Sequence, residues 1–234
     1  MTKEAFVQSC QEIGINLSNK QIQQFDTYYQ ALIEWNEKIN LTAITQESEV
    51  YEKHFYDCLL LSQVINLDKQ SICDVGAGAG FPSIPLKIVY PNLKVTIVDS
   101  LNKRIKFLDH LVEQLGLSDV KAVAARAEEF ALDHRESFDI VTGRAVARLN
   151  ILDELCLPLV KKDGYFIALK GKQGLIEEAE AKKGIDLLGG KLIESKVYNL
   201  PNELSERCLL LYQKVKATPT KYPRAFGQIK KNPL

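Results

Sequence analysis

The run Asp74-Val75-Gly76-Ala77-Gly78-Ala79-Gly80-Phe81-Pro82 sets three glycines at alternate positions behind an acidic residue. It follows the short apolar stretch Ser71-Ile72-Cys73 and precedes Ser83-Ile84-Pro85-Leu86-Lys87-Ile88-Val89, which suits a helix. Strand, glycine-rich turn and helix start, in that order, let a backbone approach a ligand with no Cβ in the way. The helix start also offers unpaired N–H groups. A nucleotide-like ligand is the expected occupant. Asp99, closing the apolar run Val95-Thr96-Ile97-Val98, sits 23 residues after Gly76. That is near the spacing at which an acid accepts hydrogen bonds from ribose hydroxyls. Its bland reading is a cap for a helix beginning near Asn102, and the two roles are compatible.

Two ligand chemistries compete for the turn. A dinucleotide fingerprint reads G-x-G-x-x-G/A, which requires a small residue where Phe81 stands. An acid beside the turn also repels a pyrophosphate. Asp74 suits a ligand with a cationic amino-acid head, and S-adenosylmethionine has one. Arg126-Ala127-Glu128-Glu129, past a third apolar run, stands where methyltransferases meet the adenine ring; read alone it is a charged surface turn.

The elements that must position these residues follow from periodicity. Residues 3–14, 19–39 and 47–64 carry apolar stripes at helical spacing, with Ser18 placed to cap the second. Strand-like runs follow near 71–75, 94–98, 120–124, 138–142, 164–169, 191–198 and 207–214, and helical patterns cover 83–90, 102–116, 148–158 and 173–183. Alternating β and α predicts a doubly wound, mostly parallel sheet. The last two strands lack an intervening helix, so Asn199-Leu200-Pro201-Asn202-Glu203 joins them as a hairpin. This is the seven-stranded, Rossmann-like α/β architecture of the S-adenosylmethionine-dependent methyltransferases, with an antiparallel last strand inserted beside the fifth. The expected division is an N-terminal helical extension (1–66), a cofactor-binding core (67–214) and a basic tail (215–234) lying extended on the core.

Composition bounds the setting. Net charge is zero, yet residues 1–66 hold four lysines against nine acids, whereas 214–234 hold six basic residues and no acid. Such a tail solubilises the chain or contacts phosphates. The cysteines (Cys10, Cys58, Cys73, Cys156, Cys208) show no CxxC pair, which reads as free thiols in a reducing compartment and no metal site. No apolar run reaches membrane-span length and the first residues lack signal-peptide form. The expectation is a cytoplasmic monomer that needs no membrane.

The methyl acceptor is approached by elimination. Past the fourth strand comes Gly143-Arg144-Ala145-Val146-Ala147-Arg148, where the crevice of an open α/β sheet lies. Enzymes acting on exocyclic amino groups carry an Asn/Asp-Pro-Pro-aromatic motif there, and cytosine-C5 enzymes a cysteine. Neither is present. A ring nitrogen such as guanine N7, which attacks without losing a proton, fits, and positioning then carries much of the catalysis.

With these residues in hand, the chain resembles the ribosomal RNA small subunit methyltransferase G family (RsmG, formerly glucose-inhibited division protein B) over nearly its full length. The resemblance rests on Trp35-Asn36 with Asn40-Leu41-Thr42, His54 with Asp57 and Leu59, Asp74 to Pro85, Asp99-Ser100-Leu101 with Lys103-Arg104, Arg126-Ala127-Glu128, Arg144-Ala145, Leu169-Lys170-Gly171 and the tail from Tyr222-Pro223-Arg224 to Leu234. It implies N7 methylation of one guanine of 16S ribosomal RNA, with S-adenosylmethionine as donor and the rRNA or small ribosomal subunit as partner. Cofactor contacts would fall on Asp74, Gly76, Gly78, Phe81, Asp99, Ala127, Glu128 and Arg144. Phe81 would pack against the cofactor, and Arg144 would reach the crevice as the catalytic candidate. His54, Arg148, Lys170, Arg224, Lys230 and Lys231 would handle RNA. The tail departs from the family pattern at Ala225-Phe226-Gly227, where a second basic residue often follows Arg224.

Blander readings stand beside these. His54 and Asp57 could be a helical pair, Trp35 a core residue, Asn36 and Asn40 braces for the turn at Leu41-Thr42, and Lys103-Arg104 a solvated face. The alternatives in function are a methyltransferase for another RNA base or a small molecule, and an RNA-binding protein without turnover.

Overall fold

The computed structural model describes the chain from Met1 to Leu234, the side chains at 204 and 205 excepted. Helix α1 (Lys3–Glu12) is capped by the Thr2 hydroxyl, which accepts from the Ala5 N–H. Helix α2 (Asn19–Ile39) opens with a capping box: Ser18 Oγ accepts from the Gln21 N–H, and Gln21 Oε1 accepts from the Ser18 N–H. It ends at Asn40, which adopts a left-handed conformation (φ 50°) while the Asn36 side chain accepts from the Thr42 N–H at 2.8 Å. The bracing reading of Asn36 is therefore the one realised.

The third helical stretch is not one α-helix. It runs as α3 (Glu47–Val50), a π-helical turn (Tyr51–Tyr56), α4 (Asp57–Leu59) and a 3-10 turn (Leu60–Gln63). The apolar spacing carries a trace of this: Val50 and Phe55 are five residues apart and both fully buried, the interval of a π turn rather than an α turn.

The sheet comprises β1 (Ser71–Val75), β2 (Lys94–Asp99), β3 (Val120–Ala124), β4 (Phe138–Arg144), β5 (Val160–Gly171), β6 (Gly190–Leu200) and β7 (Glu203–Lys214). Their order is β3-β2-β1-β4-β5-β7-β6. The first five strands are parallel, and β7 runs antiparallel between β5 and β6. The connecting helices are α5 (Ser83–Val89), α6 (Asn102–Gln114), α7 (Ala127–Asp133), α8 (Leu149–Cys156) and α9 (Gly174–Leu188), with α10 (Phe226–Lys231) in the tail. Helix α10 corrects the extended tail expected from sequence. No helix among the described residues is long and apolar enough to cross a membrane.

Strand alternation divides the core in two. Ile72, Ile97, Ile140, Ile167 and Leu211 face one cluster, which holds α1, α2 and the third helical stretch together with α5 and α6. Cys73, Val98, Val141, Phe166 and Leu210 face the other, built with α7 to α10. The N-terminal helices therefore share a core with the sheet. The switch in strand direction of travel, between β1 and β4, leaves a crevice at the strands' C-terminal ends.

On α8, Asp153 is fully buried; one carboxyl oxygen accepts from the Glu154 N–H at 2.6 Å and the other has no partner. Burial pushes its carboxyl up to about 8. An unfolded aspartate ionises near ~3.9, so the folded state keeps a proton that the unfolded state releases. The resulting stability is full below that lower value and is lost as pH rises through the folded one. Asp153→Asn should therefore lose less stability than the parent between pH 5 and pH 8 in urea unfolding; parallel curves for the two proteins would contradict this.

Candidate cofactor and substrate site

The glycine turn closes the C-terminal end of β1. Gly78 (φ +59°) donates its N–H to Asp99 Oδ2 at 3.2 Å, and a Cβ there would meet nothing within 4 Å. The open side of the turn thus faces free space. Gly80 (φ +96°) is the opposite case: a Cβ would lie 2.7 Å from Ile84 Cγ1 and 3.0 Å from Tyr28 Oη. The turn is pressed against α2, and the Tyr28 hydroxyl donates to the Ala79 carbonyl at 2.6 Å.

A cavity of about 400 Å³ opens beside the turn, bordered by Gly76, Asp99, Ala127, Glu128, Val146 and Phe226. Four of the expected cofactor residues, on three different loops, thus meet around one space of ligand size. Asp99 is 3% exposed and occupied by its own loop: Oδ1 accepts from the Leu101 N–H at 3.0 Å, and Oδ2 accepts from Arg104 Nη1 at 3.0 Å as well as from Gly78. Glu128 holds Arg126 Nε at 2.5 Å.

Asp74 lies beneath the turn, with no exposed surface. Its Oδ2 accepts from the Ser83 N–H at 3.0 Å, tying β1 to α5, and its Oδ1 has no partner. Burial pushes its carboxyl up to about 7.

Other expected residues sit elsewhere. Phe81 does not border the cavity; it stacks between Tyr28 (5.5 Å, 16°) and His54 (4.4 Å, 21°). Its ring is the contact between the turn and the helical extension. Arg144 leaves the end of β4 toward that same extension. Its guanidinium donates to the Lys53 carbonyl (2.6 Å), Cys58 Sγ (3.2 Å) and His54 Nδ1 (3.2 Å), and pairs with Asp57 at 3.2 Å. His54 and Asp57 are therefore joined through Arg144 rather than to one another, and Tyr198 completes the group by donating to Asp57 at 3.0 Å.

A second cavity, of about 260 Å³, adjoins this cluster. Asp57, Arg144, Lys170, Glu177, Tyr198 and Arg207 border it, and Ala145 borders both cavities. Periodicity gave no signal for Glu177, Tyr198 or Arg207, which come from α9, β6 and β7. Lys170 is held by Glu177 at 2.6 Å and donates to the Ala147 carbonyl at 2.8 Å, while Glu177 accepts from the Leu149 N–H at 2.8 Å. The pair pins the loop after β4 from both sides.

Two basic residues expected on RNA are committed inside the protein. Arg224 forks onto the fully buried Glu154 (2.6–3.1 Å) and donates to the Asn232 carbonyl at 3.0 Å, so it is a clamp for the tail. His54 is 8% exposed and engaged at both nitrogens. Arg148 is exposed and paired with Glu180. Lys230 and Lys231 are exposed on α10.

The state of His54 follows from its partners. Arginine only donates, so Nδ1 accepts from Arg144 and the proton sits on Nε2, donating to Thr42 Oγ1 at 2.9 Å. Burial, helped by the Arg144 charge, lowers its pKa to about 3. The unfolded histidine protonates near ~6.5, so this group's stability is full above that value and is lost as pH falls toward the folded one. Long-range ¹H–¹⁵N spectra should show a neutral Nε2–H tautomer for His54 throughout pH 5–8. A titration centred near the ordinary histidine value would show that the cluster is open.

The likenesses to other proteins fall where this geometry does. Residues 21–204 match the family model for rRNA small subunit methyltransferase G. The chain is 60% identical over 223 residues to ribosomal RNA small subunit methyltransferase G of Staphylococcus saprophyticus, covering 94% of this chain and 93% of the relative. It is 56% identical to the protein of the same name from Oceanobacillus iheyensis, covering both chains in full. Among solved structures, an S-adenosylmethionine-dependent methyltransferase from Aquifex aeolicus shares the fold at 18% identity (TM-score 0.54, 73% of this chain and 94% of that one). TYW2 of M. jannaschii in complex with AdoMet shares it at 16% identity (TM-score 0.54, 68% and 76%). A match that runs from α2 to the start of β7, with close relatives spanning the whole length, places the chain in the rRNA small subunit methyltransferase G family.

Proposed function

We propose that the chain transfers a methyl group from S-adenosylmethionine to N7 of a guanine in 16S ribosomal RNA, acting as a cytoplasmic monomer on the rRNA or the small ribosomal subunit. The observation that carries this reading is the pair of adjoining cavities sharing Ala145 at the C-terminal ends of the parallel strands. One has the shape and groups for an adenosine-bearing cofactor, and the other is polar and large enough for a base beside it.

The residues present fit S-adenosylmethionine. The open face of Gly78 leaves room for its backbone-hugging portion, Asp99 stands where ribose hydroxyls would lie, and Ala127-Glu128 border the base end. Asp74 Oδ1, buried and without a partner beneath the turn, is an acceptor for the amino-acid end. Bound there, the cofactor supplies an electrophilic methyl group on a sulfonium.

The chain's own work is placement. N7 offers a free lone pair, so no residue has to accept a proton. The base acquires positive charge; of the carboxylates bordering the cavity it would enter, Asp57 is paired with Arg144 and Glu177 with Lys170. Arg144 fixes Asp57 and closes the inner wall. Lys221, Lys230 and Lys231, all exposed, are the tail's candidates for phosphate contact.

Nucleoside mapping of 16S rRNA from cells lacking the protein should show one 7-methylguanosine missing, restored when the gene is returned; an unchanged nucleoside content would sink the reading. Replacing Lys230 and Lys231 by Ala should weaken RNA binding and lessen the slope of log K against log salt by roughly 1–2, in line with the loss of two phosphate contacts. An unaltered slope would remove these lysines from the interface.

A further inference from the structure

We infer that Phe226, carried by the C-terminal tail, is a cofactor-binding residue that forms the wall of the pocket at the purine end of S-adenosylmethionine. The inference rests on the cofactor assignment made above and adds to it a side chain from outside the sheet's own loops.

The order of groups around the first cavity fixes its two ends. Gly76, at the tip of β1, lies at one. Asp99, at the tip of β2, marks the ribose position. Residues 126–128, past β3, lie beyond it, where the base belongs. Phe226 borders this last part: the Arg126 guanidinium carbon is 4.7 Å from its ring centroid, and Arg126 is itself held by Glu128. A further cavity of about 410 Å³, bordered by Arg126, Leu132, Pro223 and Gly227, also touches Phe226. The ring therefore borders two cavities, with the Arg126 guanidinium over it, and is only partly buried. Aromatic faces bind purines by stacking and are indifferent to their hydrogen-bonding edges.

The ring packs on the edge of the second core cluster, but the tail has other anchors. Arg135 donates to the Thr218 and Tyr222 carbonyls, both at 2.5 Å. Arg224 grips Glu154, and Ile229 is fully buried. These contacts flank Phe226 on each side, so the segment stays docked when the ring is altered. Ile229 is enclosed by the core, whereas Phe226 keeps part of its surface toward the cavities.

The experiment is calorimetric titration of the full chain with S-adenosylmethionine, S-adenosylhomocysteine, adenosine and methionine. The proteins are the parent, Phe226→Ala, Phe226→Leu and Phe226→Tyr, each checked by circular dichroism and melting temperature. Phe226→Ala should raise Kd for the three adenosine-bearing ligands about tenfold, with methionine unaffected. Leu should recover part of the loss and Tyr most of it. Equal Kd values for parent and Phe226→Ala would overturn the role of Phe226 alone. A parent that binds none of the adenosine ligands would overturn the cofactor assignment itself. If the Ala variant failed to fold, the Leu and Tyr variants would decide: a Kd raised for Leu and near parental for Tyr supports the wall, and no difference between them refutes it.

Discussion

The hydrogen bond from Tyr28 to the carbonyl of Ala79 is the contact on which the rest of the site depends. A glycine turn with three left-handed residues has little intrinsic preference for one shape, because the freedom that lets it approach a ligand also lets it wander. Here its inner side is set by burial: Tyr28 is fully buried and donates at 2.6 Å, Gly80 leaves no room for a Cβ, and Phe81 is sandwiched between Tyr28 and His54. The outer side is left open. A segment that sequence divides off as an extension is thus part of the mould in which the cofactor loop is cast.

The same helices order the second cavity. Arg144 ends a strand of the sheet, yet its donors go to Lys53, His54 and Cys58 and its charge to Asp57. Burying a guanidinium is tolerable only when its donors and charge are satisfied. Glu154 and Arg224 solve the matching problem on the other face of the sheet, joining α8 to the tail seventy residues away. In both places an ion pair fastens a peripheral segment to the core, so each cavity has one wall from the core and one from outside it.

Sequence made much of this legible. Strand-and-helix alternation marks the sheet, because strands buried on both faces read as apolar runs, and Ser18 marks the start of α2 by chemistry alone. Asp99, Gly76, Ala127 and Glu128 were readable because they sit at strand ends, whose place in the fold is fixed by topology. Helix α10, of six residues, is too short for a 3.6-residue period to declare itself, and α7 opens on the charged run Arg126-Ala127-Glu128-Glu129, which reads as a surface turn. Phe226, Arg207 and Tyr198 reach the cavities through tertiary contacts that no local spacing encodes. Arg224 illustrates the converse: a basic residue in a basic tail reads as free for phosphate until a buried glutamate is found against it.

The π-helical turn at Tyr51–Tyr56 has a consequence of a different kind, concerning phase. A residue in an α-helix advances the side-chain direction by about 100°, and a π turn accommodates one residue more than an α turn does. His54 lies within it, and Asp57 and Cys58 follow directly; all three reach Arg144, while the extra residue lets Val50, five positions before Phe55, stay on the buried side with it. Substitutions that respect volume leave that angular setting alone. Were Tyr51–Tyr56 wound as a regular helix with no residue removed, the segment after it would turn by about 100° against the one before, so that Val50 and Phe55 could no longer share a face while every side chain in the cluster was still present.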